Sequence, residues 1–119
     1  MPLTIQKHAD HIAVAGTGLY TLLEAQEHFR DLSAVIGEYR KAKRAIRVLV
    51  DLRDGAPQIP EVVSHIEKVN QIIFREGDRV AIIVLSALLK FQVKRIHARF
   101  ESEAFISDAA AGEFLFRNA

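Results

Sequence analysis

The sequence predicts an α/β domain: a mixed five-stranded sheet with four helices, ordered β-β-α-β-α-β-α-β-α. Three observations carry that prediction. Ile46, Val48, Leu49, Val50 and Leu52 form a short run rich in β-branched residues, suited to a strand buried on both faces. Val80–Leu85 (VAIIVL) is a second such run. Around them, apolar residues recur at helical spacing, and strands that alternate with helices build mostly parallel sheets.

The elements follow in order. Leu3–His8 and His11–Ala15 are extended in character and separated by Ala9-Asp10, which predicts an antiparallel hairpin and makes the sheet mixed. Gly16-Thr17-Gly18 breaks the second strand. Thr21 with Glu24 reads as a capping box. Leu22, Ala25, Phe29, Leu32 and Ile36 then give one apolar helix face through about Tyr39. Arg40, Lys41, Lys43 and Arg44 close that helix, where cations complement the macrodipole. The central strand ends at Asp51, and Arg53-Asp54-Gly55 turns the chain.

Ile59-Pro60 opens the second helix, since a first turn tolerates proline. Its expected buried stripe is Ile59, Val62, Val63, Ile66, Val69 and Ile73, with Gly77 as the stop. Ser86 is a candidate cap for a third helix carrying Leu89, Val93, Ile96 and Phe100. Ala104–Ile106 reads as a last strand. Ser107-Asp108 starts a final helix that docks Ala111, Phe114 and Leu115 on the sheet.

The 119 residues suit one domain, spanning 1–119, with no internal repeat or low-complexity linker. Half the residues are hydrophobic, and the formal net charge is +1, so no global field points to nucleic acid. The absence of cysteine excludes disulfides, thiol catalysis and cysteine-ligated metals, and fits the cytoplasm. No segment approaches the ~20 apolar residues of a membrane span. The opening MPLTIQKHAD does not read as a signal peptide.

Several chemistries can be weighed against the residues they need. Gly16-Thr17-Gly18 begins like a dinucleotide fingerprint, but Thr21 stands where the third glycine belongs, and no parallel βαβ unit surrounds it. Asp51 and Ser86 at consecutive strand ends suggest a phospho-acceptor receiver. Gln6-Lys7-His8 cannot supply that site's acidic pair, however, and Ser107-Asp108 stands in place of its lysine. None of the five histidines pairs with another at i+4 on one helix, and no HExxH or GxSxG occurs. No catalytic residue, metal ligand or cofactor is therefore expected. Lys90, Lys94, Arg95, His97 and Arg99 make one helix basic, which suits either a solvated face or a docking face for anionic groups. Phe91 lies off that helix's apolar stripe, as an interface anchor would.

Three passages resemble one family. VAGTGLYTLLEAQEHFRDL, RVLVDLRDG before a helix, and GDRVAIIVLSALLKFQVKR through EAFISDAAAGEFL are similar to the STAS, or SpoIIAA-like, domains. That family is named for bacterial anti-sigma-factor antagonists. The likeness is strongest to the small stand-alone SpoIIAA-like proteins, sometimes described as STAS/Sec14-like. It covers nearly the whole chain and implies a non-enzymatic regulatory or ligand-sensing domain that self-associates. In phosphoswitched members, a serine in a DSSG-like loop opens the helix after the central strand. Here Asp54–Glu61 contains no Ser or Thr, and Ser64 lies a turn inside the helix, so no phosphorylation site carries over.

The expectation is a cytoplasmic, homodimeric, non-enzymatic regulatory or protein-interaction module. Its docking surface would combine Arg53, Asp54 and Gln58 from the central loop with Ser86, Lys90, Phe91 and Lys94. The lysines and Arg53 would attract anionic groups, Phe91 would anchor, and Ser86 would offer a hydroxyl. The alternative is a carrier or sensor of a small apolar or lipid-like molecule, held between the sheet and the second or third helix. A receiver-like or hydrolytic enzyme is the third reading.

Overall fold

The computed structural model describes residues 2–85 and 101–117. The chain opens with a hairpin in which β1 (Leu3–Lys7) runs antiparallel to β2 (Ile12–Gly16). Thr21 caps α1 (Leu22–Lys41): its hydroxyl accepts from Glu24 N at 3.0 Å, while Glu24 Oε1 accepts from Thr21 N at 2.8 Å. This is the capping box that the spacing predicts. β3 (Arg47–Asp51), α2 (Pro60–Ile73), β4 (Arg79–Ile83), β5 (Glu101–Phe105) and α3 (Asp108–Phe116) follow. The helix predicted after Ser86 lies outside the described residues.

The strands stand side by side in chain order, β1-β2-β3-β4-β5, and every pair after the hairpin is parallel. Parallel neighbours joined by right-handed crossovers place successive helices on one face of the sheet. α1 and α2 accordingly pack together on that face. Val48, Val80 and Ile82 point there, against Leu32, Ile36 and Tyr39 of α1 and Phe74 beyond α2. The alternate residues Ala81 and Ile83 point to the other face, where Ala111, Phe114 and Leu115 of α3 cover them. A period of two thus divides Val80–Val84 between two cores, which is why a central strand reads as uniformly apolar.

The structure corrects several boundaries. β4 ends at Ile83, so the expected strand end at Leu85 is a solvent-facing position, 69% exposed. Ile59 is the residue that caps α2, 44% exposed, and does not join the buried stripe. α2 stops at Phe74, ahead of Gly77, whose φ of +95° serves the turn into β4. Arg40 is more than a dipole partner. Its Nη2 meets Asp78 Oδ2 at 2.7 Å and Ile73 O at 3.1 Å, joining the end of α1 to the link between α2 and β4.

Candidate docking rim at the strand ends

In open α/β sheets, ligands and partners meet the protein beyond the carboxyl ends of the strands. Here the loops at that end hold one another in place. Leu52 N donates to Ile83 O at 2.8 Å, and Val84 N to Phe105 O at 2.9 Å, which ties the ends of β3, β4 and β5 together. Gly18 and Gly55 form an isolated parallel bridge between the loops that follow β2 and β3. Gly18 N donates to Asp54 O at 3.0 Å, and Gly18 takes a φ of +60°, which glycine adopts without strain.

Gln58 fastens this seam. Its Oε1 accepts from Tyr20 N at 2.9 Å, and its Nε2 donates to Gly18 O at 2.9 Å and to Ala56 O at 2.7 Å. The side-chain amide is fully engaged by backbone.

Arg53 is engaged as well. Its Nε and Nη2 grip Asp51 at 3.0 and 2.7 Å, a bidentate pair, while Nη1 reaches Asp108 Oδ2 at 3.2 Å. Asp51 Oδ1 also accepts from Arg53 N at 3.0 Å. The hydrogen bonds from Arg53 hold the Asp51 carboxyl below its usual range, and the Asp51 carboxylate raises the Arg53 guanidinium in turn. Asp51 thus stays ionised and is held by the Arg53 guanidinium. Asp54 is exposed, and its carboxylate makes no hydrogen bond or ion pair among the described residues. Of the predicted surface, the structure brings Arg53, Asp54 and Gln58 into one loop; Ser86, Lys90, Phe91 and Lys94 lie outside the described residues.

Sequence reasoning missed other members of this rim. Asp108, the first residue of α3, enters through the fold alone. Leu19 (60%), Leu23 (62%), Ile59, Leu85 and Ile106 (72%) are large apolar side chains exposed around the same end of the sheet. Leu19 and Ile59 flank the Gly18–Gly55 and Tyr20–Gln58 contacts, so they border one seam. In sequence, Ile59 reads as part of a helix stripe and Leu85 as part of a strand. Only the observed element ends reveal them.

A second feature lies inside. A cavity of about 100 Å³ sits between the sheet and the α1 and α2 helices, walled by Val14, Leu32, Val48, Ile66, Phe74 and Ile82 among others. Tyr20, His28 and Asn70 add polar groups to that wall. Burial pushes the Tyr20 phenol up to about 12.

No protein-family model matches the sequence, and no curated protein does either. Among solved structures the chain is similar to an uncharacterized protein of the DUF3478 family, with a SpoIIAA-like fold, from Shewanella loihica PV-4. The two superpose with a TM-score of 0.66 over 95% of this chain and 91% of that one, at 18% sequence identity. The mixed sheet and its helices are those of an α/β domain of this kind. The fold is SpoIIAA-like.

Proposed function

We propose that this SpoIIAA-like domain is a non-catalytic interaction module, and that a protein partner docks on the rim beyond β2–β5. The observation that carries the reading is Leu19, Leu23, Ile59, Leu85 and Ile106 exposed around the Asp51–Arg53–Asp108 ion cluster. Apolar side chains beside a few oriented charges are the composition of a docking surface. The two loops that carry Leu19 and Ile59 are pre-set by Gln58 and the glycine bridge, so little ordering cost opposes association there. Arg53 acts as part of a fixed charge pattern, and Asp54 offers an outward carboxylate. The test is a photo-crosslinking residue placed at Asp54 or, as a control, at the exposed Ser33 on α1, in host cells. A defined adduct at 54 and none at 33, reduced about tenfold by Leu19→Asp with unchanged thermal unfolding, is expected. Equal labelling at both positions would refute the rim.

The interior cavity favours a second reading, a sensor of a small apolar molecule. At about 100 Å³ it is smaller than the ~150 Å³ that admits benzene, so any ligand larger than that needs the α2 face to open. Native mass spectrometry of the protein as purified separates the readings. A fixed mass adduct on the folded species supports the sensor, and a doubling of the bare mass that Leu19→Asp abolishes identifies a second copy as the rim's partner.

A further inference from the structure

β1 is an edge strand, and its outer side meets no other strand among the described residues. Which backbone groups face outward follows from the hairpin. Thr17 N donates to Pro2 O and His8 N to His11 O, so residues 2, 4, 6 and 8 are the hydrogen-bonded positions of the antiparallel pair. The N–H and C=O groups of Leu3, Ile5 and Lys7 therefore point away from β2, toward the open edge.

The side chains of these three residues also line a groove of about 360 Å³ between β1 and α1. Its other wall is Glu24, Glu27, His28, Asp31 and Val35, one flank of α1 at helical spacing. The two walls match in length. The five strand residues take up about 17 Å, and the stretch from Glu24 to Val35 about 18 Å of helix.

Three carboxylates face this groove. Glu24 shares its charge with the Thr21 amide, Asp31 stands 3.8 Å from Arg30, and Glu27 makes no hydrogen bond or ion pair among the described residues. The Lys7 ammonium is met by Glu38 at 3.3 Å. At the floor, His28 is 7% exposed and makes no hydrogen bond among the described residues. Its ring borders both this groove and the interior cavity, and it packs edge-on against Phe29. Burial lowers its pKa to about 4, against a smaller opposing effect of Asp31, so at neutral pH it offers one donor and one acceptor.

We propose that the β1–α1 groove is a strand-addition site for an extended basic segment of a partner protein. The guest would hydrogen-bond to the outward N–H and C=O groups of Leu3, Ile5 and Lys7 and extend the sheet by one strand. Guest residues opposite these three project to the same face, along the α1 flank. Lys or Arg at alternate positions there would meet Glu24, Glu27 and Asp31, their stems lying over Leu3, Ile5 and Val35. The intervening guest residues would share the exposed side of Thr4 and Gln6, where small polar residues fit. This surface adjoins the rim at Glu24 but shares none of its residues, and neither proposal depends on the other.

The probe is a capped peptide of about seven residues, enough to span β1, alternating Lys or Arg with Thr. It is titrated into the ¹⁵N-labelled full chain. The expected result is saturable shifts of the Leu3, Ile5 and Lys7 amides and of the His28 ring. Affinity should fall about tenfold or more in Glu27→Lys/Asp31→Lys, two solvent-side changes that leave the fold intact. A peptide N-methylated at alternate residues, or one with Glu for each cation, should not bind. Shifts confined to other residues, or equal binding of the N-methylated or acidic peptide, would overturn the proposal. So would shifts of the same amides with protein concentration alone, which would assign the edge to a second copy.

Discussion

Gly16 shows how one missing side chain shapes the start of the rim. A Cβ there would collide with the Tyr20 hydroxyl and stand 3.0 Å from Leu52 Cδ2. Overpacking of this kind costs roughly 1–3 kcal/mol. Gly16→Ala should lower the urea midpoint accordingly, and Tyr20→Phe in the same chain should restore part of the loss, because the hydroxyl is the nearest obstacle. His28 acts through its proton. Its folded pKa of about 4 lies below the ordinary 6.5, with desolvation the main cause. Between those values the unfolded chain binds a proton that the folded chain refuses. Stability is therefore complete above about pH 6.5 and falls as pH drops toward 4, by roughly 3 kcal/mol at most. Denaturation at pH 7 and pH 4.5 should show that slope, and His28→Leu should flatten it.

At the scale of elements, the two long helices begin differently. α1 has a complete capping box, so Thr21→Ala should cost about 1 kcal/mol in chemical denaturation. The N-cap of α2 is Ile59, which offers no side-chain cap, and that isoleucine is exposed. A good cap has been forgone where an apolar side chain faces solvent, as a docking rim would require. Ile59→Asp should raise stability by about 0.5–1 kcal/mol while weakening partner capture at the rim. A variant that is stabilised and docks as well as before would separate Ile59 from the interface.

Across the whole molecule, one ion pair joins parts distant in sequence. The Arg40 guanidinium grips both oxygens of Asp78, at 3.1 and 2.7 Å, and Asp78 also accepts from Arg75 N at 2.9 Å. Asp78 is 4% exposed, and Arg40 keeps part of its surface in water. Removing one partner of a buried pair costs about 3–5 kcal/mol, and the partial exposure of Arg40 places Asp78→Asn near the lower end. The urea midpoint should fall, with the slope unchanged. A slope change would mean that α1 or α2 had detached from the sheet.

The order of strands and helices, the hairpin, the α1 capping box and the apolar strand centres are legible in the chain. They rest on local chemistry: turn residues, caps, and the periods of two and of about 3.6 that a backbone imposes on its side chains. The division of Val80–Val84 into two cores was not legible, because a strand covered on both faces shows no alternation to read. Nor was the arrangement of the loop after β3. Arg53 and Gln58 read as outward-facing binding groups, yet each is bonded within the protein, to Asp51 and Asp108 or to the Gly18–Tyr20 backbone. Those partners include residues 38 to 55 positions away, which only chain folding brings near. The apolar rim and the β1–α1 groove belong to the same class. Residue types and spacing determined the elements of this protein, and packing between them decided which polar groups stayed free and which apolar groups stayed wet.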